Sequence, residues 1–150
     1  MKIKIFALTH KKFEVPQDKM YQPLQVGREE KEDLGYLCDN TGDNISAENC
    51  YYSELTGLYW IWKNVHTYKY VGTCHYRRYL LNEQEKIFTE AEYLKLLKDY
   101  DLITTKRVVL NNSYHYGFAT NHNIHALDMT GEVIKELYPE YYDCLLYTSP

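Results

Sequence analysis

Short apolar stretches with a repeat of two alternate along this chain with longer ones whose apolar residues recur at helical spacing. That alternation limits the fold more than any other feature of the sequence. Lys2 to Leu8 alternates Lys with Ile and then turns fully apolar, the pattern of a strand entering a core. A second extended piece is expected over Tyr21 to Val26, closed by Gly27, with the charged run Arg28 to Asp33 as a solvated turn. Asp39-Asn40-Thr41-Gly42-Asp43-Asn44 has no apolar residue and is dense in turn formers, which predicts a loop. A helix follows over Cys50 to Asn64, with Asn49 or Ser46 as its cap. Leu55, Leu58, Tyr59 and Trp62 make its apolar face. On this assignment Trp62 enters the core, and Trp60, about 160° round the helix, does not.

Tyr68 to Thr73 reads as a buried strand that runs directly into His75-Tyr76-Arg77-Arg78-Tyr79. Thr89-Glu90-Ala91-Glu92 is a capping box, and the helix it opens carries Ala91, Leu94 and Leu97 on one side. Asp101 to Thr105 reads as a further strand, Arg107 to Leu110 as another extended piece, and Asn111 to Asn121 as a polar and aromatic loop. A last helix is expected over Asn123 to Leu137, with Ile124, Leu127, Val133, Ile134 and Leu137 on its apolar side, and it is ended by Pro139. This order predicts an α/β fold, a mostly parallel Rossmann-like sheet flanked by helices. In such sheets ligands sit beyond the carboxyl ends of the strands. Those ends carry Thr9-His10, His75 to Tyr79 and Thr104-Thr105-Lys106.

The chain has 150 residues, room for one domain, and its 45% apolar and 25% charged residues give a globular balance. No apolar run approaches the ~20 residues that span a bilayer, and the first residues alternate instead of forming a signal-peptide core. A cytoplasmic location is expected. A formal charge of −4 argues against a nucleic-acid partner, although it leaves room for a local basic pocket at Arg77 and Arg78. Cys38, Cys50, Cys74 and Cys144 show no C-x-x-C spacing, so reduced thiols are expected. Tyrosine is the outlier, with 17 copies. Its rings stack on sugar faces, but a composition rich in Tyr, Lys, Asn and Ile follows equally from a low-GC genome.

Three constellations carry candidate chemistry. In Gly72-Thr73-Cys74-His75-Tyr76-Arg77-Arg78-Tyr79, two guanidinium forks and an imidazole at a strand end suit a diphosphate; the plainer reading is a surface ion-pair network. The Asp39 to Asn44 loop, with Asp39, Asp43 and Asn44, followed by Ser46, Asn49 and Glu54 before the helix, suits ribose or sugar hydroxyls; the plainer reading is a polar turn and a helix cap. Glu54, ahead of the densest aromatic stretch, suits a general base or a hydroxyl ligand, against an ordinary exposed glutamate. His122 and His125, three apart, are placed on one helix face, but no carboxylate completes a metal pattern, so no metal ligands are assigned. No nucleophile elbow, P-loop or G-x-G-x-x-G occurs.

Taken together, Lys4 to His10, Tyr21 to Gly27, Asp39 to Ser46 running into Tyr52 to Asn64, and Gly72 to Leu80 resemble, in that order, the DUF4422 domain of bacterial capsular and exopolysaccharide gene clusters. Tyr116, His122, Leu127-Asp128 and Tyr138 to Tyr141 add a weaker match. The resemblance implies a GT-A-like glycosyltransferase that moves a hexose from a nucleotide sugar, UDP-hexose above others, to a surface-polysaccharide precursor. The acceptor would be a glycan or a lipid-linked glycan, with peripheral association at the inner face of the membrane. It places Thr9, His10, Asp39, Asp43, Asn44, His75, Arg77 and Arg78 at the donor, and Glu54 and His122 as catalytic groups. GT-A enzymes usually carry Asp-x-Asp at the end of a central strand to hold a divalent metal. Here that position reads His75-Tyr76-Arg77, which leaves metal dependence open and favours positive side chains at the diphosphate.

Family members run longer. Residues 1 to 143 are therefore expected to be the amino-terminal part of the domain and 144 to 150 a non-native or truncated tail, with an exposed apolar face where further chain packs. Two other readings stand beside the transferase: a non-catalytic carbohydrate-binding module, and an enzyme that processes the phosphoester of a nucleotide sugar.

Overall fold

A computed structural model describes residues 2–106, 109 and 113–148. The chain divides into two compact units, Met1–Thr105 and Lys106–Pro150.

The first unit is built on a four-stranded sheet. Its strands are β1 (Ile3–Thr9), β2 (Tyr21–Gln25), β3 (Leu37–Cys38) and β4 (Tyr70–His75), in the order β3-β2-β1-β4 and all parallel. The expected α/β class is the observed one. Alternation along β1 makes two cores. Phe6 and Leu8 join Leu24, Val26, Trp60 and Ile61 on one face. Ile3 and Ile5 join Met20, Tyr21 and Tyr93 on the other. A helix covers each, α2 (Leu55–Asn64) the first and α3 (Glu90–Leu96) the second, as a parallel sheet buried on both faces requires. The capping box at Thr89 forms as expected, although Tyr93, not Ala91, is the buried residue of α3.

The expected long helix is broken. A short α1 (Asn49–Tyr52) ends at Ser53, whose φ of 50° and ψ of −124° no helix accommodates, and α2 restarts after Glu54. The face of α2 is also the reverse of the one expected. Thr56, Gly57, Trp60 and Ile61 are buried, while Leu55, Leu58 and Trp62 are exposed. Space decides this. A Cβ on Gly57 would stand 2.7 Å from Val26 and 2.9 Å from Leu8, so only the glycine face lets the helix lie this close to the sheet. Residues 101–105 do not join the sheet, so β4 is left as an edge strand. The exposed side of α2, β4 and residues 101–105 line an open groove of about 960 Å³. Val71 and Leu102 add to its exposed apolar surface.

The second unit is helical. Ser113 caps α4 (Tyr114–Asn121), where a loop was expected, and Asn123 caps α5 (Ile124–Leu137). A turn at Pro139–Tyr141 leads into α6 (Tyr142–Thr148). Val133 and Leu137, expected to be inward, are exposed, and Gly131 is the buried residue of α5. The extended piece expected over residues 107–110 lies outside the described residues, apart from Val109.

Candidate functional site

The carboxyl ends of β1, β2 and β4 meet the junction of α1 and α2. Thr9, His10, Val26, Lys31, Asn49, Ser53, Glu54 and His75 line a cavity of about 290 Å³ there. Sheet topology puts the site where strand ends in an open parallel sheet leave a crevice.

Each wall has a local cause. Gly27 (φ 65°) turns the chain out of β2, and a Cβ there would fall 2.4 Å from the Asn49 side chain. Asn49 in turn donates to the Ser53 carbonyl and to Thr56 Oγ1, which holds the strained Ser53 in place. Lys31 Nζ donates to Asn49 Oδ1 at 2.7 Å. A non-glycine residue at positive φ is a form of strain that collects at functional sites, and here it delivers Glu54 to the cavity as the residue before α2.

Glu54 faces His75. Their Oε1 and Nε2 atoms are 3.4 Å apart. The Nδ1 of His75 accepts the backbone N–H of Arg77 at 3.1 Å, so a neutral ring keeps its proton on Nε2, toward Glu54. Desolvation holds the imidazole below its ordinary pKa, and Glu54 opposes this, while Arg77, Arg78 and His10 reinforce it. Glu54 and His75 line both the small cavity and the large groove, so the pair stands where the two spaces meet.

The tight turn at the end of β4 closes with Arg78 N–H donating to the His75 carbonyl. It separates the two arginines. Arg77 lies over the Tyr76 ring, its Cζ 5.2 Å from the centroid, whereas Arg78 lines the groove. Neither forms a salt bridge among the described residues. His10 packs edge-on against Tyr76, and Thr9 is buried, with its hydroxyl bonding the backbone of Lys11.

The other expected donor residues are placed elsewhere. Asp39 is 0% exposed. Its Oδ2 accepts from Gly27 N–H and Thr56 Oγ1, and its Oδ1 from Arg28 N–H and Ser46 Oγ. The carboxylate therefore ties β2 to α2 from below the site and presents no open oxygen to a ligand. Asp43 accepts from Tyr59 and lies near Lys63, and Asn64 bonds its backbone. Lys63 and Asn64 form the last turn of α2, and Asn64 lies about 15 Å along the helix from Glu54 at 1.5 Å per residue. Asn44 bonds Gly42 and Ser46 within the same loop. His122 belongs to the second unit, where it ends α4 in an extended conformation against Phe118. It shares no helix face with His125, which lies inside α5.

Lys31 and Ser53 were not singled out by the sequence, whereas Asn49, expected as a helix cap and a polar group before the helix, does line the cavity. The break at Ser53 is invisible in an unbroken apolar periodicity. Among the described residues no three His, Cys, Asp or Glu side chains converge as metal ligands, and the strand-end position usual for Asp-x-Asp offers one imidazole, His75, beside one carboxylate, Glu54. Cys74 is pushed up to about 12 by burial and stays a thiol. Among the described residues no disulfide joins Cys38, Cys50, Cys74 or Cys144.

A family model described as a domain of unknown function, DUF4422, matches residues 4–148. The chain belongs to that family. An apo structure of the bifunctional glycosyltransferase WbbM is similar to this DUF4422 chain, with a TM-score of 0.72 and 30% identity. The similarity covers 94% of this chain and 30% of that one, so the chain spans less than a third of its structural relative. A comparison with curated proteins gives no match. Among the described residues no helix is long and apolar enough to cross a membrane.

Proposed function

We propose that this DUF4422 chain is part of a GT-A-type glycosyltransferase that moves a hexose from a nucleotide sugar, UDP-hexose in the first instance, to a surface-polysaccharide precursor. The reading is supported by similarity to a glycosyltransferase structure. One observation carries it further: a single carboxylate, Glu54, lines both a small polar cavity at the strand ends and a large open groove. A transferase needs a donor space, an acceptor space and a proton acceptor between them. In this scheme the nucleotide sugar occupies the small cavity and its mouth, and the glycan or lipid-linked glycan approaches from the groove. The acceptor oxygen bonds the anomeric carbon as its proton passes to Glu54. The anomeric carbon–oxygen bond to the diphosphate breaks, and cations at the ends of β1 and β4 take up the charge that develops on the leaving group. The site of action is the inner face of the cytoplasmic membrane, where the precursor is assembled.

The first test is thermal stabilisation of the chain by UDP, GDP and their hexoses, with and without manganese. Selective stabilisation by one nucleotide is expected, since a ligand that binds only the folded state raises its melting temperature. Glu54→Gln is expected to keep that stabilisation and to lose on the order of 10²–10⁴-fold in transfer rate. Binding of free glycan with no response to any nucleotide would replace the transferase by a carbohydrate-binding module. Turnover of the nucleotide sugar at full rate without an acceptor would instead point to phosphoester processing.

A further inference from the structure

We propose that Lys11 joins Arg77 as a phosphate-binding cation of the donor site, with Tyr76 as the platform that holds both; this rests on the nucleotide-sugar reading and names the groups that would grip its diphosphate. Tyr76 is 6% exposed and sits at the turn after β4, its N–H bonded to the Leu8 carbonyl of β1 at 3.1 Å. Lys11 Nζ lies 5.6 Å from the centroid of its ring and Arg77 Cζ 5.2 Å. The two cations come from the carboxyl ends of neighbouring parallel strands, β1 and β4. Each is fixed at its backbone by a local bond: Lys11 N–H donates to Thr9 Oγ1, and Arg77 N–H donates to His75 Nδ1.

What holds these charges matters as much as where they are. A cation paired with a carboxylate is already neutralised, whereas one held over an aromatic face keeps its full charge for an incoming anion. Neither Lys11 nor Arg77 pairs with an acid or donates a side-chain hydrogen bond to the protein, among the described residues. The carboxylate of Glu54, which lines the cavity, faces His75 instead. Tyr76 adds an independent sign. Its hydroxyl is the one buried side-chain polar atom without a partner among the described residues, and an unsatisfied group of that kind marks a place where water or a ligand completes the network. Arg78, the expected second cation, points to the groove and is free to serve the acceptor side.

The test is calorimetric titration of the full chain with UDP, UMP and uridine, and with the guanosine series if GDP is the nucleotide that stabilises it. The quantity read is the affinity gained from nucleoside to diphosphate. Lys11→Gln and Arg77→Gln are each expected to reduce that gain about tenfold, the effect of losing one charge-assisted contact, and to leave nucleoside affinity within about twofold. Lys11→Arg restores the gain. Both side chains are exposed, so unchanged melting temperatures verify the fold of each variant. An unchanged diphosphate gain in Lys11→Gln overturns the assignment while leaving the transferase reading intact. Failure of the unmodified chain to bind any nucleotide removes the transferase reading and this inference with it.

Discussion

Asp39→Asn is the substitution that best separates a structural carboxylate from a ligand contact. The side chain is fully buried and receives two backbone N–H donors and two hydroxyls at 2.6–3.1 Å. Whichever oxygen becomes the amide, it then faces one backbone N–H and one hydroxyl. The hydroxyl of Thr56 or Ser46 turns to accept, but the N–H of Gly27 or Arg28 is fixed and loses its partner. Stranding one buried donor costs about 1–3 kcal/mol, and reducing the remaining charge-assisted bonds to neutral ones adds roughly 1 kcal/mol. The sum is about 3 kcal/mol, or roughly 14 °C in melting temperature for a unit of this size. Urea unfolding without any nucleotide, followed by tryptophan fluorescence and by circular dichroism, measures it. A loss below about 1 kcal/mol would refute the reasoning. Normal stability with weakened nucleotide binding would return Asp39 to the donor site.

Trp60→Ala is expected to cost about 3–5 kcal/mol and Trp62→Ala under about 1 kcal/mol, because the first ring is 6% exposed and the second 66%; equal losses in urea unfolding would contradict the observed face of α2. Gly57→Ala gains up to about 1 kcal/mol of helix propensity but forces a methyl against Leu8 and Val26, so a net loss of about 1–2 kcal/mol is expected, and stabilisation would show that the helix is free to move off the sheet. Burial holds the His75 imidazole below its ordinary pKa, so the unfolded chain binds the extra proton as pH falls below about 6.5. Stability should therefore decline through that window and level off below the folded-state pKa, and His75→Gln should flatten the decline between pH 7 and 5. A steeper decline in the variant would show that the folded protein prefers the protonated ring.

Much of the fold is legible from local pattern. β1 follows from its alternation, β2 and β4 from short extended stretches bounded by polar or turn residues, and α3 from its capping box, because those signals rest on backbone geometry and nearest neighbours. The motif at residues 75–79 was likewise correctly located at a strand end. What the pattern leaves undecided is which side of an element faces inward when both sides are apolar. In α2, Leu55, Leu58 and Trp62 made as good a stripe as Trp60 and Ile61, and the close approach of Gly57 to Leu8 and Val26 chose between them. Residues 101–105 read as a strand, but a strand is made by pairing, and no ladder to β4 forms.

The candidate site divides in the same way. The sequence by itself determined the parallel α/β class and the polar character of its strand ends, since both depend on residue type and spacing. Only the tertiary structure decided which polar groups share a space. It buried Asp39 under the site and carried Asp43 to the far end of α2. It also set Glu54 against His75 by straining Ser53, split Arg77 from Arg78, and brought Lys11 to the same Tyr76 ring that Arg77 lies over. These outcomes depend on strand order and helix packing between residues far apart in the chain, which no local stretch of sequence encodes.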